Sequence, residues 1–159
     1  MANSLQERSV KDVMSRDVAS IHFQDTVHQA LALMVENRLS ALPVVDGRGR
    51  CLGIISVTDV VALAREVDDD LNDLERLSEV SSQWLVGELT QRGMDHTKVE
   101  ELMSRGVKSV GPSATVAEAA RVMLSHHVHR LPVIDEQQRL LGIVSTMDIL
   151  AAMIDGETV

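Results

Sequence analysis

Aromatic residues are nearly missing from this chain: there is no tyrosine, and Phe23 and Trp84 are the sole rings of their kind. An interior without them has to be built from Val, Leu, Ile, Ala and Met, within a hydrophobic content of 45% over 159 residues. The same scarcity argues against recognition of single-stranded nucleic acid, which stacks bases on aromatic platforms. Basic charge is also short. Lys and Arg number 15 against 24 Asp and Glu, a formal net charge of −9. A field of that sign repels phosphate backbones and anionic lipid surfaces, although a local basic pocket can still hold a small anion.

Cysteine is represented by Cys51 alone, so no internal disulfide forms, which fits a reducing compartment. Its place between Arg50 and Leu52 suggests a buried strand position. No apolar run reaches membrane-spanning length, and MANSLQERSV lacks the apolar segment of a signal peptide, so the expected location is cytoplasmic. No nucleophile with a base partner and no Walker-type phosphate loop is visible. The reading therefore assigns no catalytic residue and expects no enzyme.

What the chain does contain is itself, twice. Met14 and Met103, Pro43 and Pro132, Gly53 and Gly142, and Asp59 and Asp148 share one offset of 89, without a gap from Val10 and Val99 onward. VMSRDVAS matches LMSRGVKS, LPVVD matches LPVID, and LGIIS matches LGIVS. This is an internal duplication. In the first copy, DVASI is a strand candidate, and Asp25 or Thr26 can cap a helix running to about Asn37, with Val27, Ala30, Leu31 and Met34 at helical spacing. ALPVVD and CLGIIS then read as strands around a GRGR turn, followed by a helix from Val57. The second copy repeats this with VKSV, a helix over Val116–Ser125, RLPVID, LLGIVS and a helix from Thr146. The order β-α-β-β-α, twice, gives an α+β fold with a first repeat over 8–67 and a second over 98–156. One such repeat is a marginal core alone, so the copies should pack on each other.

Between them, 68–97 opens strongly acidic, and Leu71, Leu74, Leu77, Val80 and Trp84 recur every three or four residues. An amphipathic helix is expected there, covering the core or meeting a partner. The acidic run Asp68–Asp70 reads as a solvated helix N-terminus rather than a cation site. His126, His127 and His129 in SHHVHR invite a metal, but sequence neighbours converge poorly on one ion and no other ligand stands beside them, so no metal site is assigned. Met14, Met34, Met103, Met123, Met147 and Met153 read as flexible core filler.

The motif LGIVSTMDIL places Ser145 at a strand-to-helix junction and Asp148 three residues on, as Ser56 and Asp59 stand in the first copy. Ser-x-x-Asp at a helix start is a capping box: the hydroxyl accepts from the third amide, and the carboxylate reaches back to the cap's own amide. The same geometry suits a ligand. A helix N-terminus favours phosphate, an ionised Asp can accept from a ribose diol, and a strand glycine lets a flat ring approach the backbone at Gly142. Spacing alone leaves both readings open.

The paired "LPVVD…LGIIS..D" and "HRLPVID…LGIVS..D" resemble a tandem pair of CBS (cystathionine-β-synthase) domains, a Bateman module, over about Val10–Glu66 and Val99–Asp155. The resemblance implies two repeats packed through their sheets with pseudo-twofold symmetry, plus an extra helical segment between them. It also implies two clefts that take adenosine ligands such as AMP, ADP, ATP, S-adenosylmethionine or NAD. By the same resemblance Asp59 and Asp148 would hold the ribose, with Ser56 and Ser145 beside them. Adenine would lie against Ser20, Ile21, Leu42 and Pro43, or Ser109, Val110, Leu131 and Pro132. The basic pair ahead of the LPV strand, His129 and Arg130, would meet phosphate, whereas the first copy has Ser40 and Ala41 there. A chain of this kind is expected to be a regulatory module that binds an adenine nucleotide, needs no obligatory cofactor, pairs as a homodimer and signals to an effector protein, without nucleic acid or membrane. The competing expectation is a structural interaction module whose Ser-x-x-Asp motifs are caps and nothing more; a nucleotide-processing enzyme is a third, weaker reading.

Overall fold

The computed structural model describes residues 7–66 and 96–157, with Gly87, Thr90, Gln91 and Gly93 between them. The amphipathic helix expected over 68–97, with Trp84 and Asp68–Asp70, lies outside the described residues. The remaining elements keep closely to the expected order. The first repeat contains β1 (Ile21–His22), α1 (Val27–Asn37), β2 (Ala41–Val45), β3 (Cys51–Ser56) and α2 (Val57–Glu66). A short helix α3 (Val99–Leu102) opens the second repeat, followed by α4 (Val116–His126), β4 (Arg130–Ile134), β5 (Leu140–Ser145) and α5 (Thr146–Glu157). A single 3₁₀ turn at Val10–Asp12 stands where α3 stands in the second copy.

Local chemistry sets these limits. Thr26 caps α1, accepting from the Gln29 amide at 3.2 Å while Gln29 Oε1 accepts from the Thr26 amide at 2.8 Å. Thr115 and Glu118 repeat this capping box on α4 at 3.1 and 2.7 Å. Both helices end on a left-handed residue, Arg38 (φ 54°) and His127 (φ 53°), which turns the chain back toward the next strand.

The chain forms two compact units, and each mixes the repeats. One comprises Met1–Val18, Arg48–Cys51 and Val107–Val159; the other comprises Ala19–Gly47 and Leu52–Gly106. By their motif carboxylates they are the Asp148 unit and the Asp59 unit. The head of the first repeat thus lies in the Asp148 unit: the Val10 amide donates to Ala114 O at 2.7 Å, and Ser15 and Ile143 exchange two bonds of 2.9 Å. The head of the second repeat does the same in the Asp59 unit, with Val99 N to Asp25 O at 2.8 Å and Ser104 paired with Ile54 at 2.8 and 3.1 Å. Each swapped segment brings a fully buried valine, Val10 or Val99, to the core it joins. Burial of one such side chain is worth roughly 1.5–3 kcal/mol.

In the Asp59 unit the sheet runs β1-β2-β3, with β1 parallel to β2 and Ile21 opposite Val44. In the Asp148 unit β4 and β5 are antiparallel, with a bulge after Val133, and Val110 makes one parallel bridge to Val133. The expected strands DVASI and VKSV shrink to these two stubs. Phe23 N still donates to Val45 O at 3.1 Å, but the corresponding residue of the second copy is Pro112, which has no amide to give.

The methionine expectation needs correction in part. Met34, Met103 and Met123 are buried and Met14 packs against the core, but Met147 and Met153 are exposed, at 70% and 44%. Met147 projects from the side of α5 opposite the buried Ile149 and Ala152, and Met153 stands at the border of that side. Cys51 begins β3 as expected for a strand but is half-buried rather than buried. Among the described residues no helix is long and apolar enough to cross a membrane, and no three His, Cys, Asp or Glu side chains gather as a metal site.

Candidate functional site

In the Asp148 unit the strand β5 delivers Ser145 to the first turn of α5, and Asp148 stands one turn later. The Ser145 amide donates to Asp148 Oδ2 at 2.7 Å, the Ser145 hydroxyl donates to the same oxygen at 2.9 Å, and Ser145 Oγ accepts from the Asp148 amide at 3.2 Å. Ser56 and Asp59 reproduce the set at 2.8, 2.9 and 3.2 Å at the head of α2. The capping box is therefore real in both copies, and it uses a single carboxylate oxygen. No described residue donates to Oδ1 of either aspartate. Capping and ligand binding are compatible roles for one side chain: Oδ2 holds the helix and Oδ1 remains an acceptor for a diol.

The glycine reading is overturned. A β-carbon on Gly142 would lie 2.6 Å from Ser15 O and 2.8 Å from Met14 Sδ. On Gly53 it would collide with Ser104 O. The space left by each missing side chain is filled by the Met-Ser backbone of the swapped segment, so these glycines serve the interleaved chain and not an approaching ring.

Residues of the second and first strands are brought to the same sheet. Leu131 and Pro132 stand opposite Val144 and Ile143, and Val110 receives and returns bonds around Val133, donating to Pro132 O and accepting from the Ile134 amide, both at 3.0 Å. Ser109 lies one residue before. Ile21 and Leu42 occupy the matching places in the Asp59 unit, beside Ser20 and Pro43. The side chains of Ile21, Leu42, Val110 and Leu131 all belong to the hydrophobic cores. What these positions can offer a ligand is backbone.

The basic pair falls next to the motif. Arg130 is the register partner of Ser145, directly across from the residue that starts the α5 cap. The carbonyl of His129 accepts from the Thr146 amide at 2.9 Å and from the Thr146 hydroxyl at 3.1 Å, tying the strand entrance to the helix start. Both basic residues are exposed, and among the described residues neither side chain has a hydrogen bond or ion pair. Thr146 went unnoticed in the sequence because only its backbone place, not its hydroxyl, is shared: the first copy has Val57, whose amide alone bonds Ser40 O at 2.9 Å. The Asp148 unit therefore gathers an open carboxylate oxygen, a fork of guanidinium donors, an imidazole and a twelve-residue helix N-terminus. That set matches a polyhydroxylated anion, with the diol at Asp148 and the phosphate toward Arg130. The Asp59 unit keeps the carboxylate and has Ser40 and Ala41 in place of the cations.

Known proteins carry the same arrangement. The model for the CBS domain matches residues 10–66 and 99–155. An uncharacterized protein of Methanocaldococcus jannaschii is 30% identical over 154 residues, covering 91% of this chain and 90% of that protein. The 5'-AMP-activated protein kinase subunit gamma-3 of Bos taurus is 34% identical over 139 residues, 87% of this chain, which spans 24% of that subunit. Among solved structures, CBSX2 in complex with AMP aligns with a TM-score of 0.70 at 25% identity, covering 93% of this chain and 97% of that one. With the family model matched twice across more than half its length, this chain belongs to the CBS domain family.

Proposed function

We propose that this chain is a regulatory CBS pair that binds an adenine nucleotide (AMP, ADP or ATP) and passes the signal to a partner protein by a change of conformation. The observation that supports it most directly is the juxtaposition of Arg130 and His129 with the open oxygen of Asp148. The relative solved with AMP is of the same family and nearly the same length. Ligand binding can shift the module between arrangements only by its differential affinity for them. The module is non-catalytic in this reading, works as a homodimer, and needs neither metal nor cofactor; the nucleotide is its regulatory ligand. Of the two motif aspartates, Asp148 is the one expected to take a phosphorylated ligand, with Ser145, Ser109 and the backbone of Val110, Leu131 and Pro132 around it.

Thermal melts with AMP, ADP, ATP, NAD and S-adenosylmethionine, followed by calorimetry, test this. Ligand at a hundredfold over its dissociation constant adds about 2.7 kcal/mol, and each kcal/mol moves the midpoint by roughly 2–4 °C in a chain of this size. A shift that Asp148→Ala and Arg130→Ala both remove supports the reading. No shift with any of the five sinks it. The second reading, an interaction module without a ligand, draws on the completeness of both capping boxes, which already explain why Ser and Asp stand where they do. Under it, Asp148→Ala lowers stability by about 0.5–2 kcal/mol and changes nothing else.

A further inference from the structure

The outer side of α5 carries Met147, Leu150 and Ile154, three and four positions apart and hence on one stripe, exposed at 70%, 45% and 71%. Leu124 of α4 is exposed at 77%, and Met153 at 44%. Between the two helices lies a cavity of about 440 Å³ lined by Met123, Leu124, Val128 and Ile149 together with His127 and His129. Large apolar side chains standing this far out of a helix pair, next to an apolar hollow, mark a contact surface.

Charge decides what can cover it. The chain carries a net −9, so two copies repel except where a face is free of fixed charge. From Ile149 to Ile154 α5 has no charged residue, its Asp148 is tied into the cap, and its Asp155 lies 3.8 Å from Arg8. The first repeat does not repeat this face. Val35 stands for Leu124, Thr58 for Met147, and the sequence has Arg65 at the place of Ile154, with Glu66 and Asp68–Asp70 after it.

We propose that a second copy of this chain docks on the α4/α5 face, second repeat against second repeat about a twofold axis. The same stripe then serves both sides, and protruding residues of one copy enter the hollow of the other. Packing α5 of one copy on α2 of the other instead would set an apolar stripe against charged residues. This inference rests on the homodimer within the proposed function and adds which face builds it.

Sedimentation velocity on the full chain tests it. Wild type sediments as a dimer. Leu124→Glu and Ile154→Glu, both at exposed positions, sediment as monomers with unchanged melting midpoints, their dissociation constants raised at least about a hundredfold by a buried unpaired charge. Val35→Glu and Ala62→Glu, on the first repeat's helices, remain dimers. A monomeric wild type, a dimer indifferent to Leu124→Glu, or dissociation by Val35→Glu overturns the inference. Nucleotide titration of the same samples separates the two readings. A chain that binds nucleotide yet stays monomeric overturns this contact and leaves the ligand standing, and a chain that dimerises through α4/α5 without binding nucleotide does the reverse.

Discussion

The Asp59 and Asp148 units use the same hydrogen bonds at one constant offset and hold out different chemistry. Val27 N to Thr97 O at 2.8 Å in one answers to Val116 N to Arg8 O at 2.9 Å in the other, and Glu100 N to Phe23 O at 3.0 Å answers to Lys11 N to Pro112 O at 3.1 Å. The side chains that make the fold are shared between them; those that reach past it are not. Ser40, Ala41 and Val57 in one unit become His129, Arg130 and Thr146 in the other. Duplication has supplied a scaffold that tolerates divergence at strand entrances and outer helix faces, because neither place carries a bond on which the core depends.

The largest expected effect breaks this comparison at the ligand. Arg130→Ala should weaken nucleotide binding by about a hundredfold, as loss of a charge-assisted fork to phosphate does, whereas Arg38→Ala should leave calorimetric affinity unchanged. Its converse sharpens the contrast: Ser40→His with Ala41→Arg should raise the stoichiometry of binding from one toward two per chain.

Next in size come the glycines. Gly142→Ala forces a β-carbon against the Ser15 carbonyl at 2.6 Å, and backbone gives way less easily than a flexible side chain, so a loss of about 1–3 kcal/mol is expected on chemical denaturation. Gly53→Ala should lose a similar amount, since both glycines face a swapped backbone. A much smaller loss at either position would mean that the swapped segment is easily displaced there.

A gain is expected at the turns. Gly49 holds φ +78° and its counterpart Gln138 holds φ +67°, a conformation that costs a side-chain-bearing residue about 1 kcal/mol or more. Gln138→Gly should therefore raise the melting midpoint by a few degrees, and Gly49→Ala should lower it.

The smallest effect is a pH dependence present at one cap and absent at the other. The backbone amide of Thr115, and after it the Thr115 hydroxyl, hold Glu118 below its ordinary value of 4.5. A carboxylate lowered in the folded state adds stability above its unfolded pKa and loses it as pH falls through the lower folded value. The melting difference between wild type and Glu118→Gln should thus be present at neutral pH and shrink below about pH 4.5. At α1 the same position is Gln29, which does not titrate, and Gln29→Glu should create the dependence there.

Much of this molecule could be read from its residues, because the features concerned are local. Thr26 and Thr115 announce their helices through capping chemistry three residues long, and LPVV and LGII alternate within one strand. The swapped heads could not be read. Both copies carry Met-Ser-Arg at the same place, so a sequence in perfect register with itself is equally consistent with each head packing in its own repeat or in the other. The exposure of Met147 and Met153 escaped for a related reason: α5 is apolar on more than one side, and helical spacing alone does not say which side faces the core. Of the site, the Ser-x-x-Asp pairs and the basic residues were legible as a pattern. That Arg130 stands across from Ser145 depends on strand register, which the bulge after Val133 shifts and no short motif records.

The interleaving bears on how the chain reaches this state. Arg8 and Ala152, joined in one unit, are 144 positions apart, and contacts of such separation form late and slowly. As the polypeptide is synthesised, every residue of the Asp59 unit is available once Gly106 has been made, while Val10 and its neighbours must wait for β5. During that interval the vacant edge beside Gly53 faces a decoy, since Met14 and Ser15 carry the same short motif as Met103 and Ser104 and arrive first. The duplication that makes the two units alike thus also gives the nascent chain a self-made competitor, which has to be released before the native exchange is complete.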